Sequence, residues 1–240
     1  MKIISMMAIM LCLFFAGTTA SASEDRTLLG SPLIPARLER DGSFEALLDH
    51  QRLMASQACM ARESCAGKTA LWLNALQGTW GTDNNHALDK LIAVQDYFST
   101  SAYKRNGVTV WAYEREPLGT DVWKDAQKFL QDEGGDCEDF AIVKAAALYA
   151  LGIRDLKVVV LRDEAAGDNH AVLAATVDNV TYILDNKLTT VVHDDSLLVR
   201  TYQPLFYLDY APDAAEGDSK GGLFGLRRPY SLVSGTLDTP

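Results

Sequence analysis

A helix is predicted to begin within the segment Gly135-Asp136-Cys137-Glu138-Asp139-Phe140. Asp136 is a good N-cap residue, and the acid three positions later, Asp139, resembles a capping box with Asp in place of Glu. Cys137 then occupies the first helical position, where the helix dipole lowers the pKa of a thiol. Apolar residues continue at helical spacing as far as Gly152, so we expect a cysteine-headed helix over 137–151.

Residues 1–22 predict a secretory signal peptide. Lys2 gives a basic start, an apolar run extends from Ile3 to Phe15, and Ala20-Ser21-Ala22 is a small-x-small cleavage site. The apolar run is too short to span a membrane as a helix. We therefore expect an exported protein whose mature part is a single domain over 23–240. An uncleaved N-terminal anchor is the alternative.

Charge and cysteine content narrow the functional classes. A formal net charge of −10 argues against binding nucleic acid or anionic lipid through bulk charge, and suits divalent cations or basic partners. No CxxC or HxxxH spacing indicates a zinc site. Loss of the signal removes Cys12, and an exported protein allows a disulfide between Cys59 and Cys65. Cys137 is then the odd thiol, and we expect neither nucleic-acid binding nor direct membrane insertion.

The remaining pattern predicts a helical first half and a β-rich second half. Helices are expected before the cysteine-headed one at 43–59, 68–76, 87–103 and 121–131. Strands are expected at 108–113, 157–162, 170–177 and 180–185, with further β structure at 189–192 and 197–202. The layout is α+β, with a helical lobe at about 40–105 and a core at about 106–210. In the core, the cysteine-headed helix packs on an antiparallel sheet.

One predicted hairpin tests whether distant polar residues meet. Asp178-Asn179 is a two-residue loop of turn-prone residues, which places Val177 opposite Val180. Side chains on one face of a strand recur every two residues, so His170 and Asp185 become diagonal neighbours on one face of the sheet. A three-residue loop would shift the register and separate them.

A thiol, an imidazole and a carboxylate are the parts of a cysteine nucleophile, its base and the group that orients the base. We therefore predict Cys137 as nucleophile, His170 as base and Asp185 as orienting group. A buried structural cysteine is the alternative for Cys137. His193, near two acids, is an alternative base.

The acids Asp136, Glu138 and Asp139 conflict with a nucleophilic role for the neighbouring thiol, because like charges raise a thiol pKa. Either these acids cap the helix and point to solvent, or they hold a hard cation that cancels their charge. Calcium prefers several oxygen ligands of this kind, but the spacing is not that of an EF-hand loop. Both readings stay open on spacing alone.

Three segments together resemble the bacterial transglutaminase-like cysteine proteinases, namely Gly135-Asp136-Cys137-Glu138-Asp139-Phe140-Ala141-Ile142, Asn169-His170-Ala171-Val172-Leu173 and Ile183-Leu184-Asp185-Asn186. The likeness spans roughly residues 88–207. The resemblance implies a papain/transglutaminase-like fold with Cys137, His170 and Asp185 as a triad. It also implies Ca2+ beside the nucleophile, held by Asp136 and Glu138, with Asp139 as a further candidate ligand.

The same resemblance implies an activity and partners. Family members cut the N-terminal region of large surface adhesins, and the periplasmic domain of an inner-membrane cyclic-di-GMP receptor of the LapD kind inhibits them. We therefore expect a periplasmic cysteine endopeptidase that controls cell attachment and biofilm release. Acyl transfer by the same triad and a non-catalytic docking module are the alternatives. The backbone N–H of Cys137 is a natural oxyanion donor, with Trp123 a candidate for the second.

Overall fold

The computed structural model describes residues 27–32, 60, 62–98, 111–115 and 122–210. The predicted signal peptide, the helix at 43–59, the disulfide partner Cys59 and the first half of the strand at 108–113 lie outside these residues. Within the described part of the chain, no helix combines the length and the apolar character that crossing a membrane requires.

The described helices are α1 (Glu63–Trp80), α2 (Ala87–Tyr97), α3 (Ala126–Asp132) and α4 (Cys137–Ala150). The cysteine-headed helix is confirmed as α4, and α1 contains the predicted 68–76. Helix α3 starts later than the predicted 121, because Asp125 caps it by accepting the Lys128 N–H at 2.6 Å. The Lys124 N–H is likewise taken by a side chain, Asp139 Oδ1, at 2.6 Å, which keeps this segment out of the helix.

The described strands form two small sheets and one main sheet. A hairpin joins β1 (Thr27–Leu28) to β2 (Ser31–Pro32), and β3 (Ala112–Tyr113) pairs in parallel with β4 (Gly134–Gly135). The main sheet is antiparallel in the order β8-β7-β6-β5-β9. Its strands are β5 (Asp155–Asp163), β6 (Asp168–Val177), β7 (Val180–Leu184), β8 (Val192–His193) and β9 (Tyr202–Asp209).

The last two strands differ from the prediction. Strand β8 begins only at the end of the predicted 189–192, and the predicted strand at 197–202 is wrong. Val199 N–H donates to Ser196 O at 3.1 Å and Tyr202 N–H donates to Val199 O at 3.0 Å, so this segment forms consecutive turns. The strand follows as β9, which pairs with β5 at the edge of the sheet.

The hairpin between β6 and β7 has the predicted register. Val177 lies opposite Val180. The loop residues Asp178 (φ 51°) and Asn179 (φ 62°) both adopt left-handed backbone angles, as a two-residue type I′ turn requires. Asp and Asn tolerate this region better than other side chains. Asp185 follows β7 directly, and strand alternation places it on the sheet face of His170.

The main sheet is covered on both faces. On one face Leu173 and Leu184 pack against α4 and the other helices in a large apolar cluster. On the other face Val172 and Ile183 form a smaller cluster, which also contains Leu28 of β1. Helix α4 therefore packs on one face of the main sheet, whereas the His170 side chain lies on the other face. They approach one another at the start of β6, where the N-terminus of α4 reaches the strand.

The two glycines of β4 allow the close contacts that position the start of α4. A Cβ on Gly134 would lie 2.2 Å from the carbonyl oxygen of Ala112, and a Cβ on Gly135 would lie 2.3 Å from Asp139 Oδ2. The preceding helix does end before them, at the C-cap residue Glu133. The glycines therefore let β4 lie closely against β3 on one side and against the first turn of α4 on the other.

Candidate active site

Two buried contacts of Asp139 hold the N-terminus of α4. Its Oδ2 accepts the Asp136 N–H at 3.2 Å, which completes the predicted capping box. Its Oδ1 accepts the Lys124 N–H at 2.6 Å and so ties the preceding loop to the helix. Burial raises the pKa of Asp139 to about 7, although the two backbone N–H groups oppose this rise. Asp139 therefore fixes the position of the residue before Cys137.

Cys137 is a free, half-buried thiol in the first turn of α4. Its Sγ donates to Glu138 Oε2 at 3.1 Å. Burial, followed by the charge and the hydrogen bond of Glu138, raises the pKa of the thiol well above its ordinary value. Without a compensating charge, these effects outweigh the helix dipole from which the sequence predicts a lowered thiol pKa.

A backbone contact places the thiol beside the strand that carries the imidazole. The Ala171 N–H donates to the sulfur of Cys137 and partly offsets the rise in its pKa. Ala171 directly follows His170 in β6. The sulfur of Cys137 thus lies against the backbone of the residue that follows His170.

The predicted contact between His170 and Asp185 is present. The His170 Nε2–H donates to Asp185 Oδ1 at 2.9 Å, with both side chains buried. This tautomer is assigned from the hydrogen bond, because an ionised carboxylate can only accept. Nδ1 of His170 is consequently the nitrogen left to exchange a proton with another group.

Three hydrogen-bond donors keep the buried Asp185 carboxylate ionised. Besides His170, the Lys187 N–H donates to Oδ1 at 2.8 Å, and the Tyr202 hydroxyl donates to Oδ2 at 2.5 Å. Burial alone would raise the pKa of Asp185, but the hydrogen bonds from His170, Lys187 and Tyr202 together lower it below its usual value. Tyr202, on β9, was not predicted as a site residue.

A second group of polar residues that the sequence did not reveal lies behind Asp185. Gln95 of α2 donates through Nε2 to the backbone carbonyl oxygens of Asp185 and Leu188, each at 2.7 Å. Its Oε1 accepts from Lys144 Nζ of α4 at 2.9 Å. Burial lowers the pKa of Lys144 to about 7, while the charge of Asp185 opposes this shift.

Two aromatic residues, Tyr113 and Trp123, lie in the segments that precede α4 in the chain. Tyr113 of β3 lies opposite Gly135, and its ring stacks on Phe140 of α4 with a centroid distance of 6.5 Å. Burial, followed by the nearby charge of Cys137, raises the pKa of Tyr113 to about 12. Trp123, a candidate for the second oxyanion donor, packs against the large apolar cluster, as a core tryptophan would.

The alternative base is held elsewhere in the sheet. His193 lies in β8, and its ring packs edge-on against Tyr182 of β7 at a centroid distance of 4.8 Å. Strand β8 forms the edge of the main sheet, beyond β7. Among the described residues, no hydrogen bond joins the His193 ring to a carboxylate, whereas the His170 ring makes such a bond with Asp185.

The acids beside Cys137 suit a hard cation in their chemistry. Asp136 and Glu138 flank Cys137 in the sequence, and their carboxylate oxygens are the ligand type that calcium prefers. Each oxygen of Asp139 already accepts a backbone N–H, so its first role is to hold the helix start. Across the described residues, no group of three or more His, Cys, Asp or Glu side chains is arranged to hold a metal ion.

Residues 83–197 match the family model described as bacterial transglutaminase-like cysteine proteinase. The chain resembles the bacterial transglutaminase-like cysteine proteinases. This match confirms the resemblance predicted from the sequence, and it includes Cys137, His170 and Asp185. It supports the coarse expectation of a cysteine proteinase.

Solved structures of one relative also resemble the chain. Calcium-bound LapG of Legionella pneumophila has 22% sequence identity and a TM-score of 0.48, over 68% of this chain and 83% of that one. EGTA-treated LapG of the same organism has 23% identity and a TM-score of 0.47, over 75% and 84% of the two chains. The comparison with curated proteins gives no significant match.

Proposed function

We propose that the chain is a calcium-dependent cysteine endopeptidase of the periplasm, with Cys137 as nucleophile, His170 as base and Asp185 as orienting group. The observation that carries the proposal is the buried hydrogen bond from His170 Nε2–H to Asp185 Oδ1 at 2.9 Å. The Ala171 N–H bond to the sulfur supports it, because it brings Cys137 beside His170. The family match supports proteolysis as the reaction class.

The chemistry follows from the roles of the three residues. His170 Nδ1 takes the thiol proton, and the Cys137 sulfur attacks the scissile carbonyl carbon. His170 then gives that proton to the leaving amine, and the C–N bond breaks to leave a thioester on Cys137. Water attacks the thioester with His170 as base, which releases the acid product and restores the thiol. Asp185 holds the imidazole in the required tautomer throughout.

The N-terminus of α4 also stabilises the negative charge that develops on the substrate carbonyl oxygen. The backbone N–H of Cys137 lies in the first turn of α4, where it has no partner within the helix and the helix dipole favours negative charge. A carbonyl oxygen that becomes anionic during attack is stabilised by such a donor. We assign this N–H as one oxyanion donor.

Asp136 and Glu138 would hold Ca2+, and Asp139 orders the turn that presents them. When bound, the cation supplies positive charge beside a thiol that the neighbouring carboxylates otherwise keep protonated. Glu138 is central, because its Oε2 accepts the thiol hydrogen bond at 3.1 Å. With Glu138 as a metal ligand, the thiol would no longer be held by this hydrogen bond.

The substrate we propose is the N-terminal region of a large surface adhesin, so that cleavage releases cells from a biofilm. We further propose inhibition by the periplasmic domain of a LapD-like inner-membrane cyclic-di-GMP receptor. The resemblance supports both proposals, and the predicted signal peptide supports a periplasmic location. The formal net charge of −10 is consistent with a protein partner rather than a nucleic acid.

The proposal is tested by incubating the purified mature chain with the N-terminal region of a giant adhesin encoded by the same genome. We expect cleavage in calcium, strong inhibition by EGTA and recovery when calcium is restored. Cys137→Ala serves as the inactive control. A labelled primary amine added in parallel reports acyl transfer.

The outcomes separate the candidate functions. Amine incorporation without hydrolysis would replace the endopeptidase by an acyl transferase. Cleavage that EGTA leaves unchanged would remove calcium from the proposal. Full adhesin release from cells carrying Cys137→Ala would indicate a docking protein without catalysis.

A further inference from the structure

A buried chain of hydrogen bonds joins the helix of Cys137 to the turn of Asp185. It starts at Lys144, which lies on α4 about two turns after Cys137. Lys144 is completely buried, and its Nζ donates to Gln95 Oε1 at 2.9 Å. Gln95 belongs to α2 and is also buried. The chain therefore begins on the same rigid element that carries the nucleophile.

The other end of Gln95 clamps the turn that follows β7. Its Nε2 donates to the carbonyl oxygens of Asp185 and Leu188, each at 2.7 Å. The Leu188 N–H also donates to the Asp185 carbonyl oxygen, at 3.2 Å, and closes the turn. A glutamine amide has two N–H donors and one carbonyl oxygen, so these contacts use both donors and its acceptor.

Holding this turn also holds the Asp185 carboxylate. Its Oδ1 must stay within hydrogen-bond reach of His170 Nε2, from which it lies 2.9 Å. A rotation of the peptide after Asp185 would break its bonds to Gln95 and to the Leu188 N–H, and a shift of the turn would displace the side chain. Misplacing a catalytic group by about 1 Å can cost about 100-fold in rate, so a fixed turn has functional value.

We propose that Gln95 and Lys144 are positioning residues that set Asp185 against His170 from the helix that bears Cys137. The inference rests on the proposed function of the triad and adds two residues to it. Neither side chain touches the reacting atoms. Lys144 acts through Gln95, and Gln95 acts through the backbone of Asp185.

The burial of Lys144 argues against a role limited to packing. Taking an ammonium group out of water is costly, and an apolar side chain of similar volume often gives equal or greater stability. We therefore infer that the lysine serves the directed hydrogen bond to Gln95 and not only the volume that its side chain fills. Its single acceptor contact with Gln95 orients the amide so that both N–H groups face the carbonyls of the turn.

A second buried lysine provides a matched control. Lys90 lies on α2, the helix of Gln95, and is also completely buried. Its Nζ donates to the Asp83 carbonyl oxygen at 2.7 Å, in the loop before α2 rather than at the triad. Lys90→Met thus removes a buried lysine without touching the turn of Asp185.

The experiment compares Lys144→Met, the double variant Gln95→Met/Lys144→Met, and Lys90→Met. The double variant replaces the whole polar chain by apolar side chains of similar length, so its folding should be preserved. Adhesin cleavage gives kcat and KM, and thermal unfolding gives Tm. Proton NMR follows the downfield resonance of the His170 Nε2–H, which reports the bond to Asp185 without any substrate.

We expect the double variant to lose about 10- to 100-fold in kcat with little change in KM, and to lose or shift the His170 resonance. Lys144→Met should show a smaller loss in the same direction, because Gln95 can still reach both carbonyls. Lys90→Met should change Tm while kcat and the resonance stay at their wild-type values.

Unchanged kcat and an unchanged resonance in a folded double variant would overturn the proposal. So would a loss of the resonance in Lys90→Met equal to that in Lys144→Met. If the double variant does not fold, Lys144→Met decides by the same two readouts. A wild-type protein that cuts no adhesin, with the resonance still shifted in the double variant, would refute the proposed function and leave the positioning role in place.

Discussion

The two halves of the candidate site are built in opposite ways. In the half formed by His170 and Asp185, every carboxylate oxygen has a donor, and the pKa of Asp185 lies below its usual value. In the half formed by Cys137 and its acids, the thiol donates to Glu138, and the thiol pKa lies well above its usual value. One half is electrostatically complete as folded. In the other, burial and the charge of Glu138 oppose ionisation of the thiol.

This difference separates a part of the site whose charge is balanced by hydrogen bonds from a part where burial and neighbouring charge oppose ionisation of the thiol. Asp185 and His170 are buried by the main sheet and held by hydrogen bonds from several elements. Cys137 lies at the start of one helix, where burial and then the charges of Glu138 and Asp136 raise the pKa of its thiol. A cation that binds there would activate the thiol without rearranging the imidazole and its carboxylate.

The largest effect should come from the thiol itself. Cys137→Ala should lower adhesin cleavage by at least about 10⁴-fold, because the alanine has no nucleophilic atom. The His170 Nε2–H resonance and Tm should remain close to those of the wild type, since the bond to Asp185 does not involve the sulfur. Gel assays of cleavage and proton NMR check both statements. A lost resonance in this variant would show that the two halves depend on each other.

Asp185→Asn should have the next largest effect, about 10³-fold in kcat. An amide at this position can present an N–H to His170 and favour the wrong tautomer, so Nδ1 is no longer available to the thiol. Asp83→Asn is a control, since the Asp83 carboxylate accepts the backbone and side-chain N–H groups of Asn85 in the loop before α2. The control should lose stability and keep its kcat. Equal losses of kcat would remove the special role of Asp185.

Glu138→Gln tests the charged half directly. After burial, the charge and hydrogen bond of Glu138 are the main causes that raise the thiol pKa, so their removal lowers it. In chelator at neutral pH, iodoacetamide should alkylate Cys137 about tenfold faster in this variant than in the wild type. Glu133→Gln, an exposed acid before the glycines of β4, should leave the rate unchanged. A slower reaction in Glu138→Gln would contradict the electrostatic account.

Tyr202→Phe should give the smallest effect, a three- to tenfold loss in kcat. It removes the 2.5 Å bond to Asp185 Oδ2, and losing a donor raises the pKa of Asp185. The stability that Asp185 contributes is present above its unfolded pKa and lost as pH falls through its folded pKa. In Tyr202→Phe this loss of stability begins at a higher pH, because the folded pKa of Asp185 is higher. For the same reason, the acid limb of the kcat/KM profile should shift to higher pH.

A second tyrosine controls for the loss of a hydroxyl. Tyr210 has a buried hydroxyl oxygen without a hydrogen-bond partner among the described residues, so Tyr210→Phe should change neither kcat nor the acid limb. If both variants shift the pH profile alike, the contact between Tyr202 and Asp185 is not the cause.

Short-range features of the site follow from the sequence. The capping box at Asp136 and Asp139 depends on residues three positions apart. The loop Asp178-Asn179 has a length that sets strand register, and register alone places His170 and Asp185 on one face. These rules apply because each involves backbone geometry over a few residues or across one tight turn.

Helix α2 shows where apolar spacing fails as a guide. Leu88 and Ile92 lie near the predicted period but are exposed, whereas Lys90 is completely buried. Lys90 reaches the Asp83 carbonyl oxygen, a contact that no hydrophobic pattern contains. Ala87, Leu91 and Val94 do form a buried face at helical spacing, so apolar spacing finds part of the buried surface and misses the buried lysine.

The sequence by itself determined the cysteine-headed helix, the register of the hairpin and the three residues of the candidate triad. Only the tertiary structure brought Tyr202, Gln95 and Lys144 to Asp185. These three residues come from β9, α2 and α4, which are distant in the chain and have no spacing rule that links them. Their contacts arise when helices and strands pack into one core, and an isolated segment carries no record of that packing.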